Sequence, residues 1–232
     1  MQEENMLKEG IKVIEKNGLR YIIESGNKIK RYNPWLGDSF SFIYDSIMKN
    51  SILPKKFGAD VHRHFEILKC ELEKVHGKHV LELATGSGSA VSFLNRDNHY
   101  AGTDISPGLL RKARKKFSLA GFKDPVFYVT SADDLPFDDN IFDLCLCILS
   151  LNFFDDIALV FQEIKRVLKT GAVLVCSVPV PERNKQKSTI RGTLRTEEEL
   201  RTMSQDNDFR FERIPPANGA LLYFRAFSVQ GS

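Results

Sequence analysis

The stretch Val80-Leu81-Glu82-Leu83-Ala84-Thr85-Gly86-Ser87-Gly88-Ser89-Ala90 constrains the fold more than any other part of the chain. An apolar run with an acid inside it gives way to small residues, the pattern of a buried strand that turns tightly into a helix. Gly86 and Gly88 remove side chains where backbone must turn and approach a ligand. The N–H groups at the start of the following helix, predicted over residues 89–95, favour a polar or anionic group. This is a cradle of nucleotide type. A nicotinamide-dinucleotide turn reads G-x-G-x-x-G, and Val91 stands where its third glycine would pack helix on strand, which weakens a dehydrogenase reading.

With 232 residues the chain suits one α/β domain with an appendage, and it buries a sizeable core without metal or disulfide staples. Its 33 basic and 30 acidic residues leave a net +3, far from the field of a dedicated nucleic-acid binder. Cys145, Cys147 and Cys176 lie in apolar runs and Cys70 stands apart, so no disulfide framework is expected. A strand would point Cys145 and Cys147 the same way, which reads as core or pocket lining rather than as a metal pair. No apolar stretch reaches the length of a membrane span and the first residues lack a secretory pattern, so a cytoplasmic protein is expected.

Residues 99–104 read as a second strand ending in Asp104, eighteen residues beyond Gly86. That is close to the spacing of about twenty at which a carboxylate reaches ribose hydroxyls in a doubly wound sheet. Pro107 then opens a helix with Leu110, Ala113 and Phe117 inward and its cations outward. Residues 126–130 give a third strand, and the almost wholly apolar residues 142–149 a central fourth. Helical periodicity over residues 156–168, a turn at Gly171 and a fifth strand at residues 173–175 follow. Residues 179–193 are polar and basic and read as a loop able to close over substrate, before a helix opened by the capping box Thr196-Glu197-Glu198-Glu199. Residues 209–214 and 221–229 close the chain as two strands. Ahead of the glycine turn, a small hairpin is predicted from residues 19–23 and 28–32, with Lys28, Lys30 and Arg31 on a solvated face. Helices are predicted at residues 38–50 and about 56–76.

Glu82 followed at alternate positions by Ala84, Gly86 and Gly88 resembles the first motif of the class I S-adenosylmethionine-dependent methyltransferases, small-molecule type, with Ala84 in place of the usual first glycine. Ser131-Ala132-Asp133-Asp134-Leu135-Pro136-Phe137 resembles their adenine-contacting loop, and the likeness extends over residues 78–229. It implies a seven-stranded, doubly wound, mostly parallel α/β sheet with an antiparallel terminal strand. Residues 1–76 would form a hairpin and helical lid, and residues 77–232 the S-adenosylmethionine-binding domain. The resemblance places that cofactor against Glu82, Ala84, Thr85, Gly86, Gly88, Asp104, Ile105, Ala132, Asp133, Cys147 and Asn152, with Asp104 on the ribose and Asp133 accepting from the adenine amino group.

The implied reaction is metal-free methyl transfer to a small, partly apolar acceptor held in near-attack geometry, with neither a membrane nor nucleic acid as partner. Trp35, Phe40, Tyr44 and Phe153 are the candidate acceptor pocket, since aromatic faces suit a positive sulfur. Tyr44-Asp45 and His62-Arg63 resemble, at longer spacing, paired residues of quinone-ring C-methyltransferases, and neither His62 nor His64 is given a role. Asn152 and Phe153 stand where many small-molecule members carry histidines, so no catalytic base is assigned. A noncatalytic S-adenosylmethionine-binding or scaffold protein is the alternative.

Overall fold

An apolar run without alternation makes a strand that must be covered on both faces, and β7 (Phe142–Ile148) is such a strand near the middle of the sheet. In this computed structural model, which describes residues 6–24, 28–32, 44–185 and 187–230, ten strands join one sheet. β4 (His79–Leu83), β5 (His99–Asp104) and β6 (Val126–Val129) run parallel to β7 on one side, and β8 (Leu168–Pro179) on the other. Beyond β8 the sheet turns antiparallel through β10 (Leu221–Ser228) and β9 (Phe209–Arg213). These are the seven strands that the sequence predicts. The count is higher because N-terminal residues add three more at the other edge. β2 (Leu19–Glu24) pairs in parallel with β6, while β1 (Lys12–Lys16) and the two-residue β3 (Lys28–Ile29) pair with β2. The predicted hairpin is thus part of the sheet and satisfies an edge of β6 that would otherwise stand open. Arg20 opposite Tyr128 fixes this join, with Nη1 donating to the phenol oxygen at 2.7 Å.

Two helical layers cover the sheet. α2 (Val61–Leu72) and α3 (Pro107–Ala120) lie on one face, where Leu68, Leu72, Leu110 and Phe117 share a core with Val80, Tyr100, Leu144 and Leu146. α4 (Ile157–Val167) and α5 (Glu197–Asp206) cover the other, where Phe161, Ile164 and Leu200 join Leu81, Leu83, Cys145, Cys147 and Leu174. Strand alternation puts both β7 cysteines on the α4 side, as the sequence predicts. Ser106 caps α3 by accepting from the Leu109 N–H, and Thr196 with Glu199 forms the predicted capping box of α5. Among the described residues no helix is long and apolar enough to cross a membrane.

Four local expectations are corrected. The helix predicted over residues 89–95 is a single 3₁₀ turn, Ser89–Ser92. Its continuation is spent elsewhere: the Asn95 amide donates to the carbonyls of Leu72, Glu73 and Val75, and the Asn98 amide also donates to Val75, closing the end of α2. α2 is shorter at both ends than predicted, because Asp60 caps it by accepting from the Arg63 N–H at 2.7 Å. Before it, α1 (Tyr44–Ile47) runs on into a wider π-wound stretch, Met48–Lys56. β8 starts at Leu168, and Gly171 (φ +78°) sits where its register slips against β7 instead of in a turn ahead of it. The start of the helix predicted at Asp38, together with Trp35 and Phe40 and the side chain of Tyr44, lies outside the described residues.

His64 on α2 is buried, with Nδ1 2.8 Å from the Tyr223 phenol oxygen, whereas His62 is exposed beside Glu66. Burial pushes the His64 imidazole down from its ordinary 6.5 to about 4. Between those values the unfolded chain binds the extra proton, so the contribution to stability is whole above about pH 6.5 and is lost as pH falls toward 4. Comparing urea unfolding of the protein with His64→Leu at pH 7 and pH 4, the stability difference between them should shift against the histidine form by about 3 kcal/mol. A constant difference would contradict a neutral buried imidazole.

Candidate functional site

The chain leaves β4 for β5 on one side, and β7 begins the run to the other, so the crevice of a doubly wound sheet opens at the carboxyl ends of these three strands. β4 ends at Leu83, and Ala84 follows with φ +48°. An alanine held in left-handed backbone costs about 1 kcal/mol, strain that persists only where the surroundings over-determine it. The Thr85 N–H donates to Thr103 O at 2.8 Å and the Gly86 N–H to Asp104 Oδ2 at 2.8 Å. Asp104 Oδ1 accepts from the Ser106 N–H at 2.8 Å, so one carboxylate fixes the turn, the end of β5 and the start of α3. A Cβ on Gly88 would lie 2.8 Å from Ala113 Cα, and this glycine therefore seats the turn against α3.

Beneath the turn, Glu82 is only 2% exposed. The Tyr100 hydroxyl donates to its Oε2, and its main-chain oxygen accepts from the hydroxyls of Thr85 at 3.2 Å and Thr103 at 3.1 Å. Burial drives the carboxyl up to about 8; the Tyr100 bond pulls it back in part, and the neighbouring Asp104 charge adds to the rise. Glu82 is thus mostly protonated at neutral pH and holds the turn from below, as does Thr85. The Tyr100 ring stacks on Phe117 with centroids 4.0 Å apart.

Along the same edge Ile105 is half-buried, Ala132 buried and Asp133 exposed. The adjacent Asp134 is held by Lys30 Nζ at 2.6 Å, which gives this hairpin lysine a partner inside the chain. At the end of β7, Leu149 repeats the left-handed backbone of Ala84 (φ +59°), and Cys147 is fully buried with its thiol 3.3 Å from Ser150 Oγ. The Asn152 amide donates to Arg191 O at 2.7 Å, and its main-chain oxygen accepts from the Thr193 N–H at 2.8 Å. A Cβ on Gly192 would lie 2.0 Å from that oxygen, so the loop reaches β7 only because residue 192 is glycine. Asn152 Oδ1 is buried without a hydrogen-bond partner among the described residues, a cost tolerated where a ligand supplies the donor. Phe153, next along, is 56% exposed. An acidic lip at Asp104, small residues at Ala84 and Gly86 and an orphaned acceptor at Asn152 suit a nucleoside ligand that also carries an amino group.

Three residues with no assigned role close the turn from outside. The Ser87 hydroxyl donates to Asp45 Oδ1, and Lys116 Nζ donates to Asp45 Oδ2 at 2.6 Å and to Ser87 Oγ at 3.3 Å. Burial pushes the Asp45 carboxyl up, but the bonds from Lys116 and Ser87 outweigh it and hold the group below its ordinary range. The segment that begins at α1 is thereby latched to the glycine turn and to α3. Its one trace in the sequence is the Tyr44-Asp45 pair, which carries no hint of Lys116.

Residues 81–176 match a family profile described as a methyltransferase domain. A demethylmenaquinone methyltransferase of Thermotoga maritima is 33% identical over 164 residues, which span 69% of this chain and 67% of that protein. A ubiquinone/menaquinone biosynthesis C-methyltransferase of Desulfotalea psychrophila is 36% identical over 105 residues, spanning 44% of this chain and 42% of the relative. Among solved structures, a SAM-dependent methyltransferase from Aquifex aeolicus superposes with a TM-score of 0.63 at 17% identity, covering 86% of this chain and all of that one, which is a likeness of fold.

Asp45→Asn keeps the shape of the latch and removes its charge. It should lower stability by about 1 kcal/mol and speed amide exchange at Ser87 and Gly88. Unchanged protection of those amides would show that the turn does not depend on the latch.

Proposed function

The chain belongs to the class I S-adenosylmethionine-dependent methyltransferases, and on that premise we propose that its acceptor is a small, partly apolar ring compound received beside Asn152 and Phe153. Bound S-adenosylmethionine supplies an electrophilic methyl group; the residues around it bind and orient. Asp104 accepts from the ribose hydroxyls, Ile105 and Ala132 flank the adenine, and Asp133 accepts from its amino group. Ala84 and Gly86 allow close approach of the ligand, while Glu82, Thr85 and Gly88 hold that backbone in place. Asn152 Oδ1, the buried acceptor without a partner, receives the amino group of the methionine part, and this orphaned atom beside an exposed phenyl ring is the observation that carries the reading. Cys147, at the end of β7, contributes to the cofactor-side wall of the crevice.

Residues 1–76 act as a hairpin and helical lid and residues 77–232 as the binding domain, with Trp35, Phe40, Tyr44 and Phe153 as the candidate acceptor residues. The quinone-ring chemistry in the names of the two relatives supports an aromatic acceptor. A reduced quinone ring is already nucleophilic, so holding it in line with the methyl group supplies most of what the reaction needs without a histidine base.

Incubation with methyl-labelled S-adenosylmethionine and either a reduced naphthoquinone or a primary amine should label the quinol alone. Label on the amine alone would overturn the acceptor class. Asp104→Ala should weaken S-adenosylmethionine binding by about 1.5–3 kcal/mol, roughly ten- to a hundredfold in Kd, through loss of charge-assisted bonds. Unchanged affinity in calorimetry would remove Asp104 from the ribose site.

A further inference from the structure

Two segments of the chain are basic and contain no acid. Residues 47–56 contain Lys49, Lys55 and Lys56 and no acid; residues 183–195 contain Arg183, Lys185, Lys187, Arg191 and Arg195 and no acid. These two segments carry eight positive charges on a chain whose total is +3, which leaves the remainder at −5. The fold brings them to a common rim. The Ser188 hydroxyl donates to Lys56 O, and the bond from Asn152 to Arg191 O ties the second segment to the end of β7. Arg183 is drawn aside into an ion pair with Glu197 at 2.9 Å, whereas Lys49, Lys55, Lys56, Lys185 and Lys187 are exposed. Beside this rim Phe153 is 56% exposed, and Ile47, at the head of the first segment, is 38% exposed.

We propose that this rim is a docking surface for an anionic lipid bilayer. Lysines and arginines close to such a surface gain from its negative potential, and apolar side chains set among them enter the boundary between headgroups and acyl chains. The same cations attract nucleic acid, but binding of single strands relies on several aromatic platforms for stacking, and the described rim offers one exposed aromatic ring. Docking sets the exposed Phe153 ring, next to the buried Asn152, against the lipid. An apolar acceptor then passes from bilayer to site without crossing water, a consequence that rests on the acceptor reading above; the docking itself does not.

The full chain is sedimented with vesicles of phosphatidylcholine, with or without about a third of phosphatidylglycerol, at low and at high salt. Binding to the anionic vesicles at low salt should be at least about tenfold stronger than to the neutral ones and should fall as salt rises. Lys55→Glu with Lys56→Glu, and separately Lys185→Glu with Lys187→Glu, should each weaken it about tenfold or more; these side chains are exposed, and a retained circular dichroism spectrum confirms that the fold survives. Phe153→Ser should weaken binding severalfold and leave the salt dependence in place. Equal binding to both vesicle types, or charge reversals without effect, would overturn the proposal. Reversal-sensitive binding of a mixed-sequence oligonucleotide, with vesicles left unbound, would assign the rim to nucleic acid instead. These outcomes are read without methyl transfer, so they stand or fall apart from the acceptor assay.

Discussion

Everything at the carboxyl edge of the sheet depends on one carboxylate accepting two main-chain N–H groups. Asp104 holds Gly86 from one side and Ser106 from the other, each at 2.8 Å, so three separate elements meet at a single side chain. Hydrogen bonds to a charged group are worth roughly twice neutral ones, and removing this acceptor would leave two donors buried without partners. The same anion bears on Glu82. Burial is the larger cause, and the Asp104 charge adds to it, so the inner acid keeps its proton while the outer one is ionised.

Around this fixed edge three contacts join segments distant in sequence. Asp45 meets Ser87 and Lys116, Ser188 meets Lys56, and Asn152 meets Arg191 and Thr193. The first holds the glycine turn, the second joins the π-wound stretch to the loop that follows β8, and the third ties that loop to the end of β7. Such contacts thus reach the ends of both β4 and β7. Ala84 and Leu149, the two residues held in left-handed backbone on neighbouring strands, lie at these two points.

The parts of this arrangement that could be read from the sequence are those set by short-range chemistry. The glycine turn, the continuous apolar run of β7, the capping box at Thr196 and the acid eighteen residues beyond Gly86 each carry their signal within a few residues or a known spacing. What escaped depends on partners far along the chain. β1 is too charged to announce itself, and it exists because β2 first docks on β6. Residues 89–95 look helical, but beyond Ser92 Asn95 and Asn98 close the end of α2 instead. Asp45 could be seen in a pair with Tyr44, but its use requires Lys116, 71 positions away. Gly88 was read as making room for a ligand, and its contact with Ala113 shows that it also makes room for a helix.

The pairing of β2 with β6 also bears on the order of assembly. Arg20 cannot meet Tyr128 until another 108 residues have been made, and the closure of so long a loop is compensated only once β5 and β6 are already in place. The residues ahead of β4 are therefore among the last to settle. During synthesis the nascent chain carries an unpaired β2 strand and an unlatched α1 until the core of the sheet has formed. The glycine turn forms before β2 and α1 reach their partners, and a growing chain stalled short of residue 129 would expose strand edges to any neighbour able to pair with them.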